Sequence, residues 1–315
     1  MDAEGRRVVI LAGGMLNVLV CALYLTVTDL GPWLYAVRIG HGIAEAMLFA
    51  ALFTHAADLV PPSRRTEGIA IFGVSGLLPI SLGGLLGDVI LARAGYTQLF
   101  QVAAGFAALS LLFSLPLRDH SPAGADLPAR GFLAAVAERD LLPLWFLGSV
   151  FAVALTATFT FLKTYVMETG IGSVGLFFTA YSVAGVLLRL FFGWVPQRIG
   201  PKRALFPALG MLAAGYLLLA FAPGTQALLA AGTLCGLGHG FTFPILLGLV
   251  VTRARAAERG AAMSLFTALF DGGVLIGGPA LGAMIRFAGY PAMFASAAAL
   301  VATGAVVFAI WDRAR

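Results

Sequence analysis

Arg38-Ile39-Gly40-His41-Gly42-Ile43-Ala44-Glu45 recurs 198 positions later as Gly236-Leu237-Gly238-His239-Gly240-Phe241-Thr242-Phe243, with Gly-His-Gly at its centre. Further matches follow at an offset of 194: Arg65 with Arg259, Phe72 with Phe266, Gly83-Gly84 with Gly277-Gly278, Ala94-Gly95-Tyr96 with Ala288-Gly289-Tyr290, and Phe100 with Phe294. Upstream, Arg7, Gly14, Met15 and Leu16 pair with Arg203, Gly210, Met211 and Leu212 at an offset of 196. Only connecting loops differ in length, so residues 38–100 and 236–294 read as two copies of one segment. The alignment sets Met1 opposite Gln197, and the apolar stretch 141–196 before that point has no counterpart in the first copy. The chain is therefore expected to lack two helices of its first half.

The copies are built of membrane sequence. Hydrophobic residues make up 60% of the chain, charged residues 11%, and the mean hydropathy is +0.95. That balance excludes an ordinary soluble domain. The apolar sequence falls into runs that reach the roughly 20 residues a helix needs to cross a bilayer. The expected spans are 8–28, 32–60, 67–92, 97–117, 141–165, 172–196, 203–222, 225–251, 260–286 and 290–311, ten in all. The one long loop, 118–140, holds Pro122, Gly124, Pro128 and several charges. It divides the chain into an incomplete N-terminal bundle, 1–117, with four helices, and a C-terminal six-helix bundle, 141–315. Within the loop, residues 131–139 have the pattern of a short amphipathic surface helix. The fold class is thus an all-α membrane protein with a pseudo-twofold repeat.

Basic residues orient it. With residue 1 in the cytoplasm, one side collects Arg6, Arg7, Arg64, Arg65, Arg118, Arg130, Arg139, Arg198, Lys202, Arg203, Arg253, Arg255, Arg259, Arg313 and Arg315. The other side has Arg93, Lys163 and Arg286, while Arg38 and Arg189 fall inside spans. Lys and Arg are retained on the cytoplasmic side, so both termini are assigned there. The net charge of +5 then follows from topology, and no nucleic-acid partner is implied. Cys21 and Cys235 lie alone in separate spans, without the spacing of a disulfide framework or metal site. The first apolar run lacks a cleavage pattern and reads as a retained span.

Gly193-Trp194-Val195-Pro196-Gln197-Arg198-Ile199-Gly200-Pro201-Lys202-Arg203 resembles the loop motif of the major facilitator superfamily: a Gly, an acid four residues on, a basic residue, a Gly and a basic pair. Gln197 stands where the family has Asp. The stretch 34–44, with Arg38 four residues before Gly42, resembles the family's fourth-helix motif. Gly73, Gly76, Pro79, Gly83 and Gly84 resemble its antiporter motif without the Gly-Pro pair, which Gly278-Pro279 supplies in the later copy. The resemblance is to drug- or sugar-efflux-like proton-coupled permeases. It implies a two-bundle fold with substrate held between rocking halves, the ten helices corresponding to the third through twelfth of a twelve-helix transporter. Arg6 and Arg7 would be the tail of the first loop motif.

Ionisable residues within spans cost about 2.5–3.5 kcal/mol on insertion scales, so each is a functional candidate. At 100° per residue, Arg38, His41 and Glu45 share one helix face, with His41 and Glu45 an i,i+4 pair. Such a stripe suits proton exchange in a water-filled cavity; the alternative is an ion pair holding adjacent helices. Asp271, midway along its span beside Gly272-Gly273, is the strongest lone acid, either a proton or cation site or one end of a helix–helix hydrogen bond. Asp58 faces away from the stripe at a helix end, and the resemblance implies a gate latch with Arg6 or Arg7, against a plain solvated carboxylate. Arg189 is expected to snorkel to the headgroups in a structural role. Phe151, Phe159, Phe161, Phe177, Phe178, Tyr181, Phe241, Phe243, Phe266 and Phe270 could line a cavity, though most would pack or face lipid. Gly76, Gly83, Gly84 and Gly277, with Gly278-Pro279, suit close helix approach, and Pro79 and Pro244 suit kinks.

These features point to a bacterial inner-membrane secondary transporter, a monomer in the lipid bilayer that exports small organic molecules against protons. It needs no cofactor or metal. The alternative is a transport-incompetent truncated product or a membrane scaffold or accessory subunit. Neither Gly-x-Ser-x-Gly nor a nucleotide-binding loop occurs, so an enzyme has little support.

Overall fold

The computed structural model describes residues 5–61, 64, 68, 71–118, 138–222 and 224–312, and every regular element among them is helical. Four long helices precede the central loop: α1 (Arg6–Leu23), α2 (Pro32–Leu59), α3 (Val74–Arg93) and α4 (Gly95–Ser114). After it come α5 (Leu142–Phe159), α6 (Leu162–Thr169), α7 (Val174–Phe192), α8 (Val195–Ile199), α9 (Pro201–Ala220), α10 (Thr225–Arg253) and α11 (Arg259–Trp311). Eight helices among the described residues are long and apolar enough to cross a membrane.

The helices start and stop where chain chemistry requires. Pro32 and Pro201 occupy the first positions of α2 and α9, where a missing N–H is harmless. The Ser173 hydroxyl accepts from the Leu176 N–H at 3.2 Å and caps α7. Gly170 ends α6 with φ +69. α11 is two rods, 259–288 and 290–311, joined at Gly289, whose φ of 80° and ψ of 174° belong almost solely to glycine. Its repeat partner Gly95 has φ +82 at the junction of α3 and α4, so the repeated Ala-Gly-Tyr is the same turn twice.

Three expected spans differ from the observed helices. The 141–165 span breaks after Phe159 into α5 and α6, where the hydroxyls of Thr156 and Thr158 bond back to the Ala152 and Leu155 carbonyls and compete with the helical ladder. The 172–196 span ends at Phe192, because Gly193 and Pro196 break the ladder before α8. The 67–92 span has its long helix only from Val74, after a turn at Gly73. Residues 131–137 of the expected surface helix lie outside the described residues.

Packing follows the repeat. α1 lies against α2 and α4, as α9 lies against α10 and α11, where Phe206 meets Phe308. The second half adds α5, packed along α11, and α7, packed along α10. Small residues set these contacts, because lipid is as apolar as the helices and association relies on close fit. Gly273 and Gly277 let the first rod of α11 close onto Ser149 and Thr156 of α5, and Gly304 does the same for Val150. Among the described residues the main buried cluster sits in the second half, joined from the first by Phe53 and Ala57, with Phe49 and Phe72 packed against it. The halves meet where α3 touches α7 and α2 touches α11.

Candidate functional site

A cavity of about 1000 Å³ lies between the halves. α2 contributes Glu45, Phe49 and Phe53 to its wall, and Phe72 stands just before α3. From the second half come Arg189 of α7, His239 and Phe243 of α10, and Phe266, Phe270 and Asp271 of α11. The rings join the halves: Phe243 lies 5.8 Å from Phe49, 6.1 Å from Phe53 and 5.7 Å from Phe270, centroid to centroid. Of the ten aromatic candidates, Phe243, Phe266 and Phe270 face the cavity, whereas Phe151, Phe177 and Tyr181 are core. Phe49, Phe53 and Phe72 were missed. For Phe72 the signal was available in the alignment, since it matches Phe266 of the cavity wall.

Arg189 corrects the expectation that it snorkels outward. It is only 2% exposed, and its Nε donates to the Gly240 carbonyl at 2.8 Å. The local sequence explains the bond. In an α-helix the Gly240 carbonyl would accept from the N–H four residues on, but that residue is Pro244, which has none. Glycine at 236 and 240 lets α7 come close: a Cβ at Gly236 would collide with the Tyr181 carbonyl, and one at Gly240 would lie 3.3 Å from Gly185. Arg189 thus satisfies a backbone acceptor that the membrane interior would otherwise leave bare. Beside it, the Tyr181 hydroxyl and His239 Nδ1 are hydrogen-bonded, and Phe151 sits edge-on to the imidazole. The structural role expected of Arg189 was placed at the headgroups because nothing in a linear motif shows that Gly240 and Pro244 lie opposite it.

The stripe on α2 divides. Glu45 lines the cavity, with its side chain 69% exposed, and its Oε1 lies 3.5 Å from His41 Nε2. His41 Nδ1 meets the Tyr24 hydroxyl of the first half at 3.1 Å. Arg38 is exposed, does not line the cavity and has no polar partner among the described residues. Asp271 faces the cavity and likewise meets no cation within 4 Å among the described residues.

Arg6, Lys202, Arg253 and Arg259 stand in the first or last turns of their helices and meet two buried carboxylates. Arg6 Nε donates to Asp58 Oδ2 at 3.3 Å, and Arg259 Nη1 of the second half lies 3.7 Å from Oδ1 of the same carboxylate, whose side chain is 2% exposed. Arg7 donates to the Leu115 carbonyl at 3.3 Å. Lys202, which aligns with Arg6, uses a different acid. Its Nζ lies 3.2 Å from Asp312 Oδ2, while Arg253 grips both Asp312 oxygens at 3.0 and 2.8 Å. Burial pushes the Asp312 carboxyl up, but hydrogen bonds and charge from Arg253 and Lys202 outweigh it and hold the group below the ordinary aspartate range.

The remaining loop-motif residues serve the turn between α7 and α9. Gly193 ends α7, Gly200 turns the chain with φ +99, Arg198 lies 5.6 Å from the Trp194 ring centre, and Arg203 is exposed. Among the expected packing glycines, Gly277 is tight, its would-be Cβ lying 2.8 Å from Thr156 Oγ1. A Cβ at Gly76, Gly83 or Gly278 would meet nothing within 4 Å among the described residues. Gly84 and Pro79 lie in α3 and Pro279 in α11.

Known proteins resemble this chain along its length. The family model described as Major Facilitator Superfamily matches residues 1–174 and 144–315. The staphylopine export protein of Staphylococcus aureus (strain Mu50 / ATCC 700699) is 22% identical over 274 residues, covering 82% of this chain and 69% of that protein. YhhS of Salmonella paratyphi C (strain RKS4594), an uncharacterized MFS-type transporter, is 28% identical over 241 residues, 75% of this chain; the chain spans little more than half of that relative, 56%. In three dimensions the fold is similar to the human organic anion transporter MFSD10 (TETRAN), with TM-score 0.79 and 21% identity over 98% of this chain and 78% of that one. It is also similar to the E. coli fucose:proton symporter FucP, with TM-score 0.75 and 18% identity over 100% and 86% of the two chains.

Proposed function

The chain belongs to the major facilitator superfamily, a family of membrane transporters, and from that premise we propose that it exports small organic molecules in exchange for protons by alternating access. One observation carries the reading: a single cavity draws a carboxylate from each half, Glu45 from α2 and Asp271 from α11, within a wall of aromatic rings. Carboxylates facing a water-filled cavity inside a membrane are suited to taking and releasing protons as the halves rock. The similarity to an export protein supports the direction. Asp58 is the proposed latch, because its Arg6 and Arg259 contacts tie α1, α2 and α11 together across the halves. The end holding this latch is taken as cytoplasmic on the distribution of basic residues, with both termini there and the bacterial inner membrane as the site of action. In this reading the protein acts as a monomer, its first four membrane helices forming one rocking body and the last six the other.

The test is flux. In proteoliposomes, uptake of a panel of small organic fluorophores is measured with and without an imposed pH gradient. Gradient-dependent uptake is expected, with a loss of about tenfold or more in Glu45→Gln and Asp271→Asn. Unchanged flux in both variants would remove the two residues from coupling. A second reading, a scaffold or accessory subunit, is favoured by the open face of the first half, where Arg38 is exposed and Gly42, Gly76 and Gly83 have no close neighbour among the described residues. No uptake above protein-free liposomes for the whole panel would favour it.

A further inference from the structure

We propose that the cavity recognises amphoteric organic molecules, holding a carboxylate at Arg189 and an ammonium at Glu45 and Asp271, with the apolar body on the aromatic rings of its wall. The inference rests on the transport reading for its biological sense but concerns binding alone. Its first observation is an incompletely used guanidinium. Arg189 is buried and lines the cavity, and only its Nε is engaged, by the Gly240 carbonyl at 2.8 Å. An arginine has five N–H donors, so four remain on the two terminal nitrogens, without a hydrogen-bond partner among the described residues. No carboxylate lies within 4 Å of it among those residues. A fixed, buried, planar cation of this kind is matched by a carboxylate, which accepts two parallel hydrogen bonds.

The second observation is that the cavity's acids do not neutralise this cation. Asp271 and Glu45 share the cavity with Arg189, yet neither is paired with it. Arg189 is held beside Gly240, whereas Asp271 follows Phe270, whose ring lies 5.7 Å from that of Phe243. A ligand with one charge would leave the opposite charge in the wall unpaired in a medium of low dielectric, whereas a ligand with both answers both. Phe243 and Phe270 line the same cavity and offer surfaces for an apolar body. The cavity volume of about 1000 Å³ accommodates a molecule of dipeptide size.

Arg189 also supports the backbone, so its substitution alone would be ambiguous. Pro244→Ala resolves this by restoring the N–H that Gly240 lacks, after which the carbonyl no longer needs the guanidinium. The experiment measures binding of three matched probes to the full chain in lipid nanodiscs by titration calorimetry at neutral pH. They are Phe-Phe (both charges), Phe-Phe amide (ammonium only) and N-acetyl-Phe-Phe (carboxylate only). The doubly charged peptide is expected to bind about tenfold more tightly than either single-charge form, as one charge-assisted hydrogen bond provides. In the Pro244→Ala background, Arg189→Gln should weaken Phe-Phe and N-acetyl-Phe-Phe while leaving the amide unchanged. Asp271→Asn, at an exposed side chain, should weaken Phe-Phe and its amide while leaving the acetyl form unchanged. Equal binding of all three probes, binding of none, or equal weakening of all three by Arg189→Gln in that background would overturn the assignment. The expected pattern without movement of Phe-Phe into liposomes would uphold the site and sink the transport reading instead.

Discussion

Residues 236–243 and 38–45 carry the same Gly-His-Gly, yet one is enclosed and the other lies open. Of the most apolar stretch of α10, 78% is buried, against 28% in α2. The difference is confined to particular faces. Toward the preceding helix of their own half the copies agree: Gly238 closes onto Leu212 of α9 and Gly40 onto Val20 of α1. Toward α7 they part, since Gly240 meets Leu188 and Gly185 while Gly42 meets nothing within 4 Å among the described residues. Arg38 aligns with Gly236, the residue against which the Tyr181 backbone presses. No helix backbone can approach Arg38 that closely, so whatever meets this face of α2 does so differently from α7 on α10. A shared motif therefore specifies a shared neighbour only where the flanking residues also agree.

The contrast can be broken most sharply at Gly236. Leucine there would drive a side chain into the Tyr181 carbonyl and is expected to abolish recovery of folded protein in size-exclusion chromatography, whereas Arg38→Leu leaves the elution profile intact. The next effect is at the basic end. Asp312→Asn should destabilise by about 3 kcal/mol, because Arg253 and Lys202 lose a buried partner. Because the Asp312 carboxyl is held below the ordinary aspartate range, its contribution is complete above that range and is lost as pH falls through the lower folded value. Thermal unfolding should show this acid-dependent component in the wild type and not in Asp312→Asn.

Smaller effects test where the copies behave alike. Gly95→Ala and Gly289→Ala should each cost about 1–3 kcal/mol, since both glycines hold positive φ whatever surrounds them. Equal losses in the two melts would place the turn in the repeat itself; a loss at only one would confine it to that half. At the paired positions Gly277 and Gly83, alanine should act with opposite sign. Gly277→Ala meets Thr156 and destabilises by about 1 kcal/mol, while Gly83→Ala finds open space and stabilises its helix by about 0.5–1 kcal/mol.

The sequence was legible where the repeat could be read against itself. Helical class, membrane residence, the order of elements and the Ala-Gly-Tyr turn all follow from periodic apolar runs and matched residues, and Asp271 and Glu45 stood out as acids inside apolar spans. What stayed hidden needed three dimensions. The break after Phe159 depends on hydroxyls bonding backward, which hydropathy does not record. Arg189 was misplaced because its nearness to a span end suggested water, while its actual partner is a carbonyl freed by a proline on another helix. The division of the α2 stripe escaped for the same reason: helical spacing puts Arg38, His41 and Glu45 on one face, but only Glu45 reaches the cavity.

Gly289 has one more consequence. The two rods of α11 meet through a single non-helical residue, and that joint has no slack. It can pivot, but the far rod cannot slide along the near one. Asp271 on one limb and Asp312 beyond the other therefore stay at fixed distances from that joint, and a rearrangement that keeps both limbs helical must be a swing about one fulcrum, like the arms of a pair of compasses.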